Sequence, residues 1–155
     1  MNPRQGRPRF HRPGPRRKCV LIVEDNASVG GLIAGLLRED GYRALRAWDG
    51  REALRLARDR RPDLIMLDLD LPHKDGVEVL CELKQHKETR QSPVIVVSGN
   101  TIVLSNEDKE QLSDAITKPF DIDVLLNAVR KAVGDPLQEV APKEYDLTDS
   151  HLNSY

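Results

Sequence analysis

The stretch Leu64-Ile65-Met66-Leu67-Asp68 is an apolar run of strand length that ends in a carboxylate. Apolar runs of this kind are expected of strands that are covered on both faces of a parallel sheet. Three further stretches have the same form, in chain order Val20-Leu21-Ile22-Val23-Glu24-Asp25, Val94-Ile95-Val96-Val97-Ser98 and the shorter Ala115-Ile116-Thr117-Lys118-Pro119. If all four are parallel strands, their polar last residues share one edge of the sheet.

Helical patterns separate these runs. The spacing predicts strands at about 19–23, 43–47, 64–67, 94–97 and 115–117. It predicts helices along the apolar stripe from Val29 to Leu37, after Gly50, from about Asp75, at about 106–112 and after Asp121. Alternating strands and helices indicate a parallel sheet with right-handed crossovers. We therefore predict an α/β fold of the flavodoxin-like, doubly wound type, with five parallel strands in the order 2-1-3-4-5 and helices on both faces.

Charge divides the chain into three parts, although the net charge is only −1. Residues 1–18 carry a charge of +7 and four prolines, which predicts a disordered or extended arm. Residues 19–134 carry −4 and contain all of the strand and helix patterns, so we expect one folded domain there. Residues 135–155 carry −4 and read as an acidic C-terminal tail, and no second domain is expected.

Composition and cysteine content indicate the expected cellular location of the protein. The chain has 155 residues, 32% of them charged, and no apolar run approaches the roughly 20 residues of a membrane span. The N-terminus lacks the apolar segment of a signal peptide. Two cysteines, Cys19 and Cys81, do not make a disulfide framework, and we expect both to be buried, reduced thiols. We therefore expect a cytoplasmic protein with no membrane contact.

The polar residues at the strand ends suit phosphoryl transfer. An aspartate such as Asp68 can accept a phosphoryl group covalently. Because carboxylate and phosphoryl group are both negative, a cation is needed, and Mg²⁺ prefers oxygen ligands such as those of Glu24 and Asp25. Ser98 can donate a hydrogen bond to one phosphoryl oxygen, and Lys118 can neutralise another.

Taken together and in this order, the motifs resemble the receiver domain of two-component response regulators, of the single-domain, stand-alone type. The resemblance covers about residues 19–133 and rests on Glu24-Asp25, Asp68-Leu69-Asp70-Leu71-Pro72, Asp75-Gly76, Ser98 and Lys118-Pro119-Phe120. It implies that a histidine kinase phosphohistidine is the donor. It also implies a regulatory phosphoacceptor domain that is not an enzyme in the usual sense but assists its own phosphorylation and dephosphorylation.

The resemblance also assigns a role to each site residue. Asp68 is the expected phosphoacceptor, and Ser98 and Lys118 are expected to contact the phosphoryl group. The expected Mg²⁺ ligands are Asp25 directly, Glu24 partly through water, Asp68, and the backbone carbonyl of Asp70. The resemblance further implies a cis Lys118-Pro119 peptide bond.

Three features depart from the family pattern. The acidic pair is Glu24-Asp25 where the family usually has two aspartates, and Ala115 stands where the family usually has an aromatic residue. The segment 99–114 is about two residues short. We therefore expect an unusual switch, in which phosphorylation affects chiefly residues 99–114.

Several alternatives stay open from the sequence alone. The protein could relay the phosphoryl group to a histidine phosphotransfer protein or contact another protein target. It could be a nucleic-acid binder in which the receiver controls the basic arm, residues 1–18, or a pseudo-receiver that binds without phosphorylation. A zinc site at His73, Cys81 and His86 is disfavoured, because Cys81 and His86 are five residues apart on a predicted helix and face different ways.

Overall fold

The structure, a computed structural model, describes residues 14–138. Its helices are α1 (Ala27–Glu39), α2 (Gly50–Arg60), α3 (Gly76–Gln85), α4 (Asn106–Glu110) and α5 (Ile122–Val133). Its strands are β1 (Arg16–Arg17), β2 (Cys19–Val23), β3 (Arg43–Ala47), β4 (Leu64–Leu67), β5 (Val94–Ser98), β6 (Asp114–Thr117) and β7 (Leu137–Gln138).

The main sheet has five parallel strands in the order β3-β2-β4-β5-β6. In the numbering of the sequence analysis this is 2-1-3-4-5, so the predicted flavodoxin-like fold is confirmed. The register pairs Val23 with Leu67, Leu67 with Val96, and Ser98 with Thr117. Because the strands run in one direction and in this register, the residues that follow them meet at the carboxyl edge of the sheet.

Alternation along the strands builds two apolar layers. In β2, Leu21 and Val23 face the layer that contains α2 and α3, while Val20 and Ile22 face the layer that contains α1 and α5. All five residues of β2 are buried, as are the four of β4. Full burial of a Val, Leu or Ile side chain stabilises a fold by about 1.5–3 kcal/mol. The central strands therefore fix the register on which the functional edge depends.

Helix α4 is short and contributes no buried residue of its own to the core. It begins at a capping box, in which Ser105 and Asp108 satisfy each other's backbone N–H groups, but it ends at Glu110 and not at the predicted residue 112. None of its residues is buried. Leu104 before the helix and Leu112 after it pack on the core and tie the segment to the sheet.

The two ends of the described chain pair with each other in a terminal clasp, defined here as β1, β7 and Lys18. Arg17 pairs with Leu137 in antiparallel fashion, and the Lys18 backbone N–H donates to Pro136 O at 2.8 Å. The Lys18 ammonium donates to Val133 O, so it satisfies a carbonyl at the C-terminus of α5. Arg16 forms an ion pair with Asp63 at 3.1 Å.

The clasp corrects the expected boundaries of the arm and the tail. Residues 16–18, expected in a disordered arm, are paired, and residues 136–138 of the expected tail are their partners. The physical reason is that each short segment gains its hydrogen bonds from the other, which is distant in sequence. The remaining parts of the predicted arm and tail, residues 1–13 and 139–155, lie outside the described residues.

The cysteine expectation holds only in part. Cys19 is buried in β2, but Cys81 is exposed on α3, because it lies on the helix face opposite Val79, Leu80 and Leu83. His86 contacts Arg58. Within residues 14–138, His73, Cys81 and His86 form no metal-compatible cluster. Among the described helices, none combines the length and apolar character that a membrane span requires.

Two glycines are expected to respond to alanine with opposite signs. A Cβ at Gly76 would lie 2.4 Å from the Leu69 Cα and 2.7 Å from Asp68 O, both backbone atoms that cannot move aside cheaply. We expect Gly76→Ala to lower the free energy of unfolding by about 1–3 kcal/mol. A Cβ at Gly35, inside α1, meets nothing within 4 Å. Gly35→Ala should raise stability by about 0.5–1 kcal/mol. Urea titrations of both variants measure this contrast, and equal effects would contradict it.

A second pair of variants tests the terminal clasp. A chain that starts at residue 14 keeps every contact described above, so its melting temperature should match that of the full chain. A chain that starts at Cys19 loses the Arg16–Asp63 pair, the β1–β7 hydrogen bonds and the Lys18 contact with α5. We expect it to melt several degrees lower, since each lost hydrogen bond costs about 0.5–1.5 kcal/mol. Identical melting of the two truncations would show that the clasp contributes no stability.

Candidate functional site

Three of the predicted site residues are held by a backbone hydrogen bond to a neighbouring strand. The Asp68 N–H donates to Val23 O at 3.0 Å, and the Glu24 N–H donates to Ala47 O at 3.1 Å. The Lys118 N–H donates to Ser98 O at 3.0 Å. These bonds extend the strand pairing by one residue beyond the strands themselves. The sheet therefore fixes where the site residues leave the backbone.

Three carboxylates come together at this edge. Glu24, Asp25 and Asp68 each offer an oxygen, and these oxygens all lie within 4.8 Å of one another. Glu24 and Asp68 are only 3% and 5% exposed, whereas Asp25 is exposed. Backbone N–H groups of the following loops bind the buried pair: Asn26 donates to Glu24 Oε1 and Asp70 donates to Asp68 Oδ1, both at 3.0 Å.

Lys118 bridges the two buried carboxylates. Its ammonium donates to Asp68 Oδ2 at 2.9 Å and also to Glu24 Oε2. The Lys118-Pro119 peptide bond is cis, as the resemblance implied. The bridge compensates two buried negative charges that would otherwise be costly to remove from water.

The pKa values of Glu24 and Lys118, two members of this bridge, are both raised, but for different reasons. Burial raises the pKa of Glu24 above its ordinary value, more than the hydrogen bonds from Lys118 and the Asn26 N–H lower it, and the charge of Asp68 adds to the rise. The protonated form of Glu24 therefore favours the folded state. This contribution to stability is present at low pH and is lost as the pH rises through the folded-state pKa of Glu24. For Lys118, burial lowers the pKa, but the hydrogen bonds to Glu24 and Asp68 outweigh burial and leave the pKa raised. The ammonium thus stays charged at neutral pH.

The donor set of this edge fits a hard divalent cation. Mg²⁺ takes oxygen ligands, usually one or two carboxylates completed by other oxygens. Glu24, Asp25 and Asp68 supply such oxygens within reach of one another, and Asp25 faces solvent, where an ion can enter with its waters. The acidic cluster could therefore bind a metal.

Ser98 is present at the edge, but its hydroxyl is already occupied. The residue is fully buried, and its Oγ donates to Asp70 Oδ2 at 3.3 Å and accepts from the Asn100 N–H at 3.3 Å. The family resemblance implied only a backbone role for Asp70, so its carboxylate is a site group that could not be recognised from the sequence. The available signal was weak: an acid two residues after Asp68, in a segment without regular structure.

The turn between β4 and α3 explains how Asp70 reaches Ser98. The Gly76 N–H donates to Leu69 O at 3.1 Å, and the absence of a Cβ lets the start of α3 approach the backbone of Asp68 and Leu69. Asp75 caps α3 by accepting from the Val77 N–H at 2.9 Å. This close packing fixes the backbone from Asp68 to Asp70, and with it the direction in which Asp70 leaves the chain.

Comparison with known proteins agrees with this geometry. Residues 20–130 match the sequence profile of the response regulator receiver domain. The chain is 37% identical over 123 residues to the polar-differentiation response regulator DivK of Brucella anthropi, a match that covers 76% of this chain and 98% of DivK.

Solved structures are similar as well. One is the receiver domain of the sensor histidine kinase PA1611 from Pseudomonas aeruginosa PAO1, which has a magnesium ion coordinated in its active site cleft. It has a TM-score of 0.69 and 30% identity, and the match covers 77% of this chain and all of that one (100%). A CheY-like receiver domain from Methylobacillus flagellatus has a TM-score of 0.69 at 27% identity, with 76% and 99% coverage. The chain therefore belongs to the family of response regulator receiver domains of two-component signalling systems.

Proposed function

We propose that Asp68 is the phosphoacceptor of this receiver and takes its phosphoryl group from a histidine kinase phosphohistidine. The observation that carries the proposal is the bridge in which one lysine ammonium touches both Asp68 and Glu24 at the carboxyl edge of the sheet. A buried carboxylate with a fixed cation beside it is ready to accept a group that brings further negative charge.

The transfer step is a displacement at phosphorus. An oxygen of Asp68 forms a bond to phosphorus, the phosphorus–nitrogen bond of the donor breaks, and the imidazole nitrogen keeps the electron pair. Lys118 stabilises the charge on the phosphoryl oxygens, and Ser98 donates a hydrogen bond to one of them once its hydroxyl turns. Positioning and charge stabilisation of this kind are most of what phosphoryl transfer requires.

We further propose that Glu24, Asp25, Asp68 and the backbone carbonyl of Asp70 hold Mg²⁺, with Asp25 as a direct ligand and Glu24 acting partly through water. When bound, the ion offsets the repulsion between the carboxylates and the incoming phosphoryl group. The magnesium ion in the similar PA1611 receiver supports this assignment. Glu24 already has two hydrogen-bond partners, whereas Asp25 is exposed, which supports the division of roles.

In the proposed function, the chain is a regulatory domain and not an enzyme with a separate substrate. It assists its own phosphorylation and later hydrolysis with Lys118, Ser98 and the bound ion. It then acts by phosphorylation-dependent protein contacts or passes the phosphoryl group to a histidine phosphotransfer protein. We place it in the cytoplasm, because Cys19 and Cys81 are both unpaired, as suits a reducing compartment.

Two alternatives receive less support. A pseudo-receiver would lack the acceptor or the lysine, and here the two are in hydrogen-bond contact. Nucleic-acid binding through residues 1–18 depends mainly on arginines outside the described residues. Such binding would show a steep salt dependence that disappears when residues 1–13 are removed.

The acceptor assignment predicts the behaviour of two matched aspartates. With Mg²⁺ and acetyl phosphate, the wild-type chain should form an acid-stable, base-labile acyl phosphate, detected by intact-protein mass spectrometry. Asp68→Asn should abolish it, because the amide oxygen is a poor nucleophile. Asp75→Asn is the control: it removes a nearby carboxylate but keeps a good helix cap, so labelling should persist. Full labelling of Asp68→Asn would place the acceptor elsewhere.

The proposed ligand roles predict unequal effects on metal binding. Asp25→Asn should weaken Mg²⁺ binding about tenfold or more, as expected for loss of a direct charged ligand. Glu24→Gln keeps the shape of a residue proposed to act partly through water, so it should weaken binding less. Isothermal titration calorimetry of both variants at one ionic strength provides the comparison. Equal losses of affinity would contradict the division of roles.

A further inference from the structure

The hydroxyl of Ser98 has one proton to donate, and in this structure it donates to the carboxylate of Asp70 at 3.3 Å. We infer that the Asp70 carboxylate is a latch that holds Ser98 in its unphosphorylated orientation and opposes the phosphorylated state. This inference rests on the proposed function. It adds to that function a positioning residue that limits how far phosphorylation proceeds.

Asp70 is in contact with both halves of the reaction site. Its backbone N–H donates to Asp68 Oδ1 at 3.0 Å, while its side chain accepts from Ser98. The acceptor carboxylate and the serine hydroxyl are therefore joined through one residue. A phosphoryl group on Asp68 would compete with Asp70 for the same serine proton.

The competition is strong because Ser98 is fully buried and its hydroxyl must have a partner. A carboxylate is a better acceptor than a neutral group, so Asp70 holds the proton more firmly than an amide would. Asp70 also carries a negative charge close to where the phosphoryl charge arrives. The latch and this repulsion act in the same direction, and a test must separate them.

The position of the latch links it to the next segment of chain. A Cβ at Gly99 would lie 3.9 Å from Asp70 Oδ2, so the carboxylate lies against the first residue after β5. The Asn100 N–H donates to Ser98 Oγ at 3.3 Å. When the Ser98 hydroxyl turns toward a phosphoryl group, its hydrogen bonds with Asp70 Oδ2 and with the Asn100 N–H change together. The latch therefore couples the state of Asp68 to the start of the segment 99–114.

The first test compares phosphorylation of Asp70→Asn and Asp70→Ala with wild type. At a subsaturating acetyl phosphate concentration and fixed Mg²⁺, the ratio of phosphorylated to unphosphorylated chain should rise about three- to tenfold in Asp70→Ala, the size expected for the net contribution of one ordinary hydrogen bond. Asp70→Asn, which keeps a neutral acceptor, should give a smaller rise. Asp75→Asn should match wild type. A ratio unchanged or lowered in both Asp70 variants would overturn the inference.

A double-mutant cycle separates the latch from simple charge repulsion. In a Ser98→Ala background there is no hydroxyl to hold, so only charge repulsion remains and Asp70→Ala should raise the phosphorylated ratio clearly less than it does when Ser98 is present. If Asp70→Ala raises the ratio equally with and without Ser98, repulsion alone accounts for the effect and the latch is refuted.

A third measurement uses the unphosphorylated chain and so does not depend on the proposed function. The amide of Asn100 reports the orientation of Ser98, because it donates to Oγ. In nitrogen–proton correlation spectra, Asp70→Ala should shift the Asn100 amide, and Asp75→Asn should leave it in place. The shift should be absent when Ser98→Ala is the starting chain. An unmoved Asn100 amide defeats the latch, whereas an unlabelled wild-type chain in the first test defeats the proposed phosphorylation itself.

Discussion

One ammonium group shared by two buried carboxylates is the interaction on which the functional edge depends. Glu24 and Asp68 are almost fully removed from solvent, and burying such charges without a partner costs several kcal/mol each. Lys118 touches both, and its own raised pKa reflects that double contact. The arrangement requires β2, β4 and β6 to end at matching heights. The buried strands and the parallel register can both be understood as conditions for that contact.

The positive charge of Lys118 offsets only part of the negative charge at the carboxyl edge of the sheet. Three carboxylates lie there with one lysine, so negative charge is left over, and the proposed phosphorylation of Asp68 would add more. Burial raises the pKa of Glu24, which shows that the local environment resists the charge it already holds. A site of this kind gains stability from a cation, which in the proposed function would also offset the charge of an incoming phosphoryl group. Folding and chemistry are thus linked through the same carboxylates.

The sequence predicted the sheet and the convergence of its strand ends because both follow from local patterns. Apolar runs such as Leu64–Leu67 identify buried strands, and their direction places Asp68, Ser98 and Lys118 together. Features that depend on distant or irregular partners could not be predicted in this way. The terminal clasp joins two-residue strands from opposite ends of the described chain, which carry no periodic signal. The carboxylate of Asp70 reaches Ser98 from an irregular loop whose backbone packs closely against Gly76 at the start of α3. The exposure of Cys81 depends on a helix rotation that one residue does not reveal.

The terminal clasp also brings the two ends of the described chain together at one place on the domain. It lies where β2 begins, at the edge of the sheet opposite the carboxylates, and five strand residues separate the two edges by about 16 Å. The described part of the chain therefore both begins and ends at that far edge. Both points of entry thus lie away from Asp68, the phosphoacceptor proposed above. The same adjacency makes the chain nearly circular, so joining residues 14 and 138 through a short linker and opening the ring at a surface loop should preserve the fold.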